Sequence, residues 1–172
     1  DVWTGSFSVT GDFSASSVSL NGGGSSIVVA PGQTVNVTYN FNVWDDPCPG
    51  CFTQLVTGLV TGTTGVHGGS CAFAGDAGLY PGASGSENVN LTAPLTPGVY
   101  YVTASYQWQF TCAQALTAYA GGTTGRAIGQ IEVSYTAAGP ANISGELWYY
   151  GYPGFSCVDV CAAHGGINTT AF

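Results

Sequence analysis

Two stretches of strict alternation constrain this chain more than anything else in it. In QTVNVTYNFNVW, Val35, Val37, Tyr39, Phe41 and Val43 fall on one face, and Asn36, Thr38, Asn40 and Asn42 fall on the other. In VYYVTASYQWQFTC, Tyr100, Val102, Ala104, Tyr106, Trp108, Phe110 and Cys112 share a face, opposed by Thr103, Ser105, Gln107, Gln109 and Thr111. Successive side chains of a strand point to opposite faces, so a period of two with one apolar set marks a half-buried strand. Two long strands are predicted, each with one face on a core and one in water.

Shorter runs follow the same logic. VSL (18–20), SIVVA (26–30) and FTQLVTGLV (52–60) read as strands. ENVNLTA (87–93) turns Val89 and Leu91 inward, AIGQIEVSY (127–135) puts Ile131, Val133 and Tyr135 on one side, and ISGELWYYGY (143–152) reads as a further strand. Turn signals such as APGQ, YPGASG and TPGV separate them. No segment has sustained helical periodicity, although CAQALTAYA and SCVDVCAAH each have room for one or two turns. Many short strands between Gly and Pro turns argue an all-β sandwich.

VAPGQTVNVTYNFNV and LTAPLTPGVYYVTASYQW resemble the second and the fifth-to-sixth strands of immunoglobulin-like domains of bacterial and archaeal surface proteins. The resemblance spans roughly residues 26–136. It implies an antiparallel sandwich with Greek-key wiring, and it implies no function. Three parts are expected: an N-terminal strand arm over 1–13, the sandwich over 14–136, and an aromatic C-terminal extension over 137–172. That extension carries its own cysteine pair and is expected to pack on the sandwich or on a neighbour.

Charge excludes several classes of function. Only 6% of the residues are charged, Arg126 is the sole Lys or Arg, and the formal net charge is −8. A nucleic-acid partner needs a basic footprint, and anionic membrane surfaces attract clusters of Lys and Arg. Gly, Ser, Thr and Asn interrupt every apolar run before the roughly 18 residues of a membrane-spanning helix, so no membrane insertion is expected. With 13% aromatic and 45% hydrophobic residues, the chain has the material for a core. Residue 1 is Asp, and the chain reads as a mature product after signal-peptide removal, secreted or held at the cell surface.

The six cysteines are Cys48, Cys51, Cys71, Cys112, Cys157 and Cys161. In an exported chain an even number argues disulfides. The CPGC at 48–51 admits other readings. A zinc knuckle needs four ligands, with Cys157 and Cys161 as the second half. A redox pair of thioredoxin type sits before a helix, whereas the residues after Cys51 are strand-like. A haem site needs His where Phe52 stands. Cys157 and Cys161 are close enough for a local bridge. A hairpin of residues 52–60 with 65–73 would return Cys71 near Cys51 or Cys48, and Cys112 ends a long strand at that same end. Cys48, Cys51, Cys71 and Cys112 are therefore expected to form one cluster of two bridges.

The remaining polar residues point away from catalysis. Adjacent Asp45 and Asp46 are weak calcium candidates, in a spacing that matches no EF-hand loop. No two carboxylates stand out as a glycosidase pair, and no G-x-S-x-G elbow is present. His67 and His164 each lie among glycines. No catalytic residue and no cofactor is expected. The sequons at Asn36, Asn90, Asn142 and Asn168 are glycosylation candidates, and Asn36 and Asn90 fall on outward strand faces, where a bulky glycan spares the core.

Two classes of function remain. The first is a structural subunit of an extracellular filament, assembled head to tail from copies of this chain. The arm DVWTGSFSVTGDF carries Trp3, Phe7 and Val9 on one face and is suited to completing a neighbour's sheet by strand addition. Val2, Trp3, Phe7, Val9, Trp148 and Tyr150 are the candidate interface residues. The organisation resembles donor-strand filaments such as archaeal threads and chaperone-assembled pili. With no lysine, isopeptide-linked pili are excluded; with no long apolar N-terminal helix, so are type IV pilins. The second class is a secreted carbohydrate-binding or adhesin module. Its motive is the aromatic run Trp148, Tyr149, Tyr150, Tyr152 and Phe155 together with exposed Asn and Gln faces, with glycans as the ligand.

Overall fold

The structure is a computed structural model that describes residues 13–44, 52–61, 65–76, 82–121, 125–135, 141–143 and 146–148, the last two segments by backbone alone. The strands are β1 (Phe13–Leu20), β2 (Ser26–Val29), β3 (Thr34–Val43), β4 (Phe52–Thr61), β5 (Gly65–Asp76), β6 (Ala83–Thr92), β7 (Gly98–Trp108), β8 (Arg126–Val133), β9 (Ala141–Ile143) and β10 (Glu146–Trp148). One helix, α1 (Cys112–Ala120), lies between β7 and β8. The strands form a three-stranded sheet in the order β1-β3-β6 and a five-stranded sheet in the order β2-β8-β7-β4-β5, with β9 and β10 as a separate hairpin. All pairs are antiparallel except β2 with β8, which is parallel.

The two sheets bury their apolar faces against each other. Val35, Val37, Tyr39 and Val43 of β3 and Val89 and Leu91 of β6 meet Leu55 and Leu59 of β4, Val102 and Ala104 of β7, and Ile131 and Val133 of β8. This is the inward set that the alternation predicts for β3 and β6, except that Phe41, also predicted inward, is only half-buried. Within this core the Tyr39 hydroxyl lies 2.6 Å from Thr57 Oγ1, so two polar groups from opposite sheets satisfy each other. Burial, above all, pushes the Tyr39 phenol well up from its ordinary value of 10, with the Glu87 carboxylate adding to the rise against the Thr57 bond.

β7 departs from its predicted pattern. Thr103, Ser105 and Gln107 were expected in water and are instead buried. The strand also stops at Trp108, so Trp108 and Phe110 do not continue its inner face; both are exposed. The cause is α1, which folds back over the outer face of the five-stranded sheet. Ala115 and Tyr119 of the helix pack on Val56 and Val60 of β4. The polar residues beneath are paired: Thr103 Oγ1 lies 2.7 Å from the Tyr119 hydroxyl, and the Gln107 amide donates to Ser105. The helix starts where Thr111 caps it, its hydroxyl accepting from the Gln114 N–H while the Gln114 side chain accepts from the Thr111 N–H. TCAQ is thus a capping box, a start signal that hydrophobic periodicity does not register.

Three further boundaries differ from expectation. β1 begins at Phe13 and runs the whole way to Leu20, rather than over 18–20 alone. The run at 143–152 is not one strand; Ala141–Ile143 pairs back on Glu146–Trp148. The helix is longer than the one or two turns its segment was allowed.

α1 can approach β4 closely because Gly58 has no side chain. A Cβ there would lie 2.5 Å from the Tyr119 hydroxyl and 2.5 Å from the Gly68 carbonyl oxygen, and the second of these is backbone. Gly58→Ala should therefore cost about 3 kcal/mol in urea unfolding. Gly24→Ala, with nothing within 4 Å of the added carbon, should stay within about 0.5 kcal/mol.

Candidate functional site

The most uniform chemistry in the fold lies on the outer face of the three-stranded sheet. β1 contributes Ser14, Ser16 and Ser19; β3 contributes Thr34, Asn36, Thr38, Asn40 and Asn42; β6 contributes Ser84, Ser86, Asn88, Asn90 and Thr92. Apart from a bulge at Ser17 and Val18, every outward position on these strands is Ser, Thr or Asn. Cross-strand bonds knit the surface. The Asn36 amide donates to Asn88 Oδ1 at 2.7 Å and to Asn90 Oδ1 at 3.0 Å, and the Ser86 hydroxyl donates to Asn40 Oδ1 at 2.7 Å. Asn21, in the left-handed region at φ 51, accepts from the Asn36 N–H through its side chain at 2.8 Å. Such a face offers donors and acceptors without charge. It suits hydroxyl-rich partners, attached sugars, or another uncharged sheet.

Two sequence-predicted sites sit on this face. Asn36 and Asn90 are exact cross-strand partners in the β3–β6 register. Directly opposed residues have Cβ atoms about 4.5–5.5 Å apart, less than the width of a glycan root. No chain should therefore carry sugars on both asparagines. Glycopeptide mass spectrometry checks this, and doubly modified chains would contradict it. Asn142 lies in β9, and Asn168 falls outside the described residues.

A second cluster forms at one end of the five-stranded sheet. Cys71 of β5 and Cys112, the first residue of α1, are bridged across a separation of 41 residues. This pairs two members of the expected cluster; Cys48, Cys51, Cys157 and Cys161 lie outside the described residues. Gln54 lies against the bridge, with its Oε1 3.3 Å from Cys112 Sγ and its amide donating to the Gln109 carbonyl at 3.3 Å. Phe52 is flanked by Phe73 at 5.9 Å and by Phe110 at 6.0 Å between ring centres, and all three rings are exposed. Replacing both Cys71 and Cys112 by Ser should lower the unfolding free energy by about 4 kcal/mol, through the closure entropy of a loop this long. Denaturant unfolding under oxidising conditions measures it.

Other predicted residues are not brought together. Among the described residues no group of three or more His, Cys, Asp or Glu could hold a metal ion. Asp45 and Asp46 lie outside them, as do Val2, Trp3, Phe7, Val9 and Tyr150, while Trp148 lies in β10. His67 contacts Thr61 through Nε2 and meets the Tyr100 ring edge-on at 4.9 Å, with no carboxylate in that set. No helix among the described residues is long and apolar enough to cross a membrane. No family model, curated protein or solved structure matches the chain.

Sequence reasoning passed over several residues that shape these regions. Phe52, Phe73 and Phe110 are scattered in sequence and converge only through the β4–β5 hairpin and the turn into α1. Gln54 sits in an apolar run and reveals its place only once the bridge is formed. Glu87 faces inward, directly across from Tyr39, and the signal was available: it is in phase with Val89 and Leu91.

Proposed function

We propose that this chain is a structural subunit of an extracellular filament, joined head to tail by β-strand addition and stapled by disulfides. One observation carries the reading. The three-stranded sheet has an inner face that is apolar apart from Glu87 and an outer face of Ser, Thr and Asn, and residues 3–10 carry the same two-sided pattern. Trp3, Phe7 and Val9 match the inner face; Thr4, Ser6, Ser8 and Thr10 match the outer. A strand so patterned extends this sheet without placing an apolar side chain in water or a polar one in the core. Head-to-tail contacts that do not close generate open helical filaments.

The wiring supports an immunoglobulin-type sandwich as the building block. β1 joins the first sheet antiparallel to β3, and β2 joins the second parallel to β8, so the start of the chain is shared between both sheets. In this reading the subunit works outside the cell, its partners are copies of itself, and sugars on the Ser/Thr/Asn face are a coating.

The exposed Phe52, Phe73 and Phe110 favour a second reading, a secreted module that stacks carbohydrate on aromatic rings. The two readings part on assembly. Electron microscopy of native, unreduced material should reveal fibres of uniform width. Removal of residues 1–12 should abolish them while leaving the circular dichroism of the folded chain unchanged. Dispersed particles that bind a glycan saturably would replace the filament by the module.

A further inference from the structure

Strand addition needs a receiving edge, and the two larger sheets present four. Three are blunted by backbone geometry, which is how proteins commonly protect sheet edges. β2 is four residues long. β1 is interrupted between Ser16 and Ser19, with Ser17 at φ 55. β5 shifts register twice against β4 and holds Gly68 and Gly75 at φ 103 and 106. Bulges of this kind twist a strand and remove the regular ladder that an incoming chain requires.

β6 differs. It pairs with β3 in unbroken register from Thr34↔Thr92 to Val43↔Ala83. It contains no proline and no residue of positive φ, and among the described residues no strand pairs with its second edge. Its protection is chemical. Glu87 lies on the inner face in register with Tyr39, and an inward-pointing charge on an edge strand opposes the burial that strand addition brings. A bulge is permanent, whereas a carboxylate can be neutralised by a proton.

Resting on the filament reading, we propose that the free edge of β6 receives residues 2–10 of a second copy, and that Glu87 gates this addition. An arm laid beside β6 places one of its apolar residues next to Glu87 and deepens the burial of the carboxyl. The protonated form is then favoured in the assembled state. Burial already holds this carboxyl above its ordinary value in the single chain, against a backbone hydrogen bond from Asn88. Of the elements packed near β6, β3 contributes the Tyr39 hydroxyl, β4 no titratable group, and β5 His67 and Asp76 beyond the bridged Cys71. The sign follows from linkage. Assembly takes up a proton, so it is at full strength below the free-chain pKa of Glu87 and weakens as the pH rises through the higher value in the assembly.

Amide hydrogen exchange on the full chain, resolved by residue and compared between dilute and concentrated solutions from pH 4 to pH 8, tests both parts. In an antiparallel ladder the amides of an edge strand point alternately to its partner and to the open side. The expected result is new protection at alternate amides of 83–92 and within 2–10 on concentration, stronger at low pH. Glu87→Gln should lower the concentration at which assembly begins by about tenfold at pH 7 and flatten its pH dependence, because a neutral side chain no longer has to take up a proton on assembly. Protection appearing on β1, β2 or β5 instead would overturn the choice of edge and leave strand addition standing. Protection of 2–10 already complete at high dilution would mean the arm folds onto its own chain, which overturns the exchange between copies. An unchanged Glu87→Gln overturns the gate. No effect of concentration at any pH would sink the filament reading itself.

Discussion

Tyr119 occupies the space that a side chain at position 58 would need, and much of the fold depends on that close approach. It lets α1 lie flat on the five-stranded sheet. With the helix down, Val56 and Val60 leave water while Leu55 and Leu59 fill the core on the other side, so β4 is buried on both faces. The same approach brings the Tyr119 hydroxyl to Thr103. It also holds the helix start beside β5, where Cys112 meets Cys71. Burying polar side chains without partners is costly, and here the helix that excludes water supplies a partner for Thr103.

This arrangement explains what was legible in the sequence and what was not. β3 and β6 were readable because each has one face on the core and one in solvent, so the pleat is written directly in the side chains. β4 shows no clean alternation, with apolar residues in adjacent pairs at Leu55-Val56 and Leu59-Val60, because both of its sides are covered, and this hides which side faces the core. In β7 the polar residues Thr103, Ser105 and Gln107 mimic a solvent face while lying under a helix. Periodicity carries no information about a covering element that brings its own hydrogen-bond partners. The helix itself was announced by capping chemistry at Thr111 and Gln114 rather than by an apolar stripe.

The candidate sites were legible to different degrees for related reasons. The outward setting of Asn36 and Asn90 follows from strand parity alone. Their direct opposition depends on the β3–β6 register, a long-range fact no local pattern contains. Of the cysteine cluster, the Cys71–Cys112 pairing needed the helix to turn back before it could be drawn. The inward Glu87 could be placed by parity, but its setting on an unbroken edge strand emerges only when the outer strands of the two larger sheets are compared.

The bridge has a mechanical consequence. Cys71 and Cys112 close a covalent ring that runs through β6 and β7. A pull applied to β6 by a neighbouring molecule would enter that ring. Peeling β6 off β3 could lengthen the chain by no more than the ring's slack, and the load would pass through a sulfur–sulfur bond into β5 and the helix instead of unravelling the subunit. Within that ring the subunit would stretch a little and then stiffen for as long as the bridge stays oxidised.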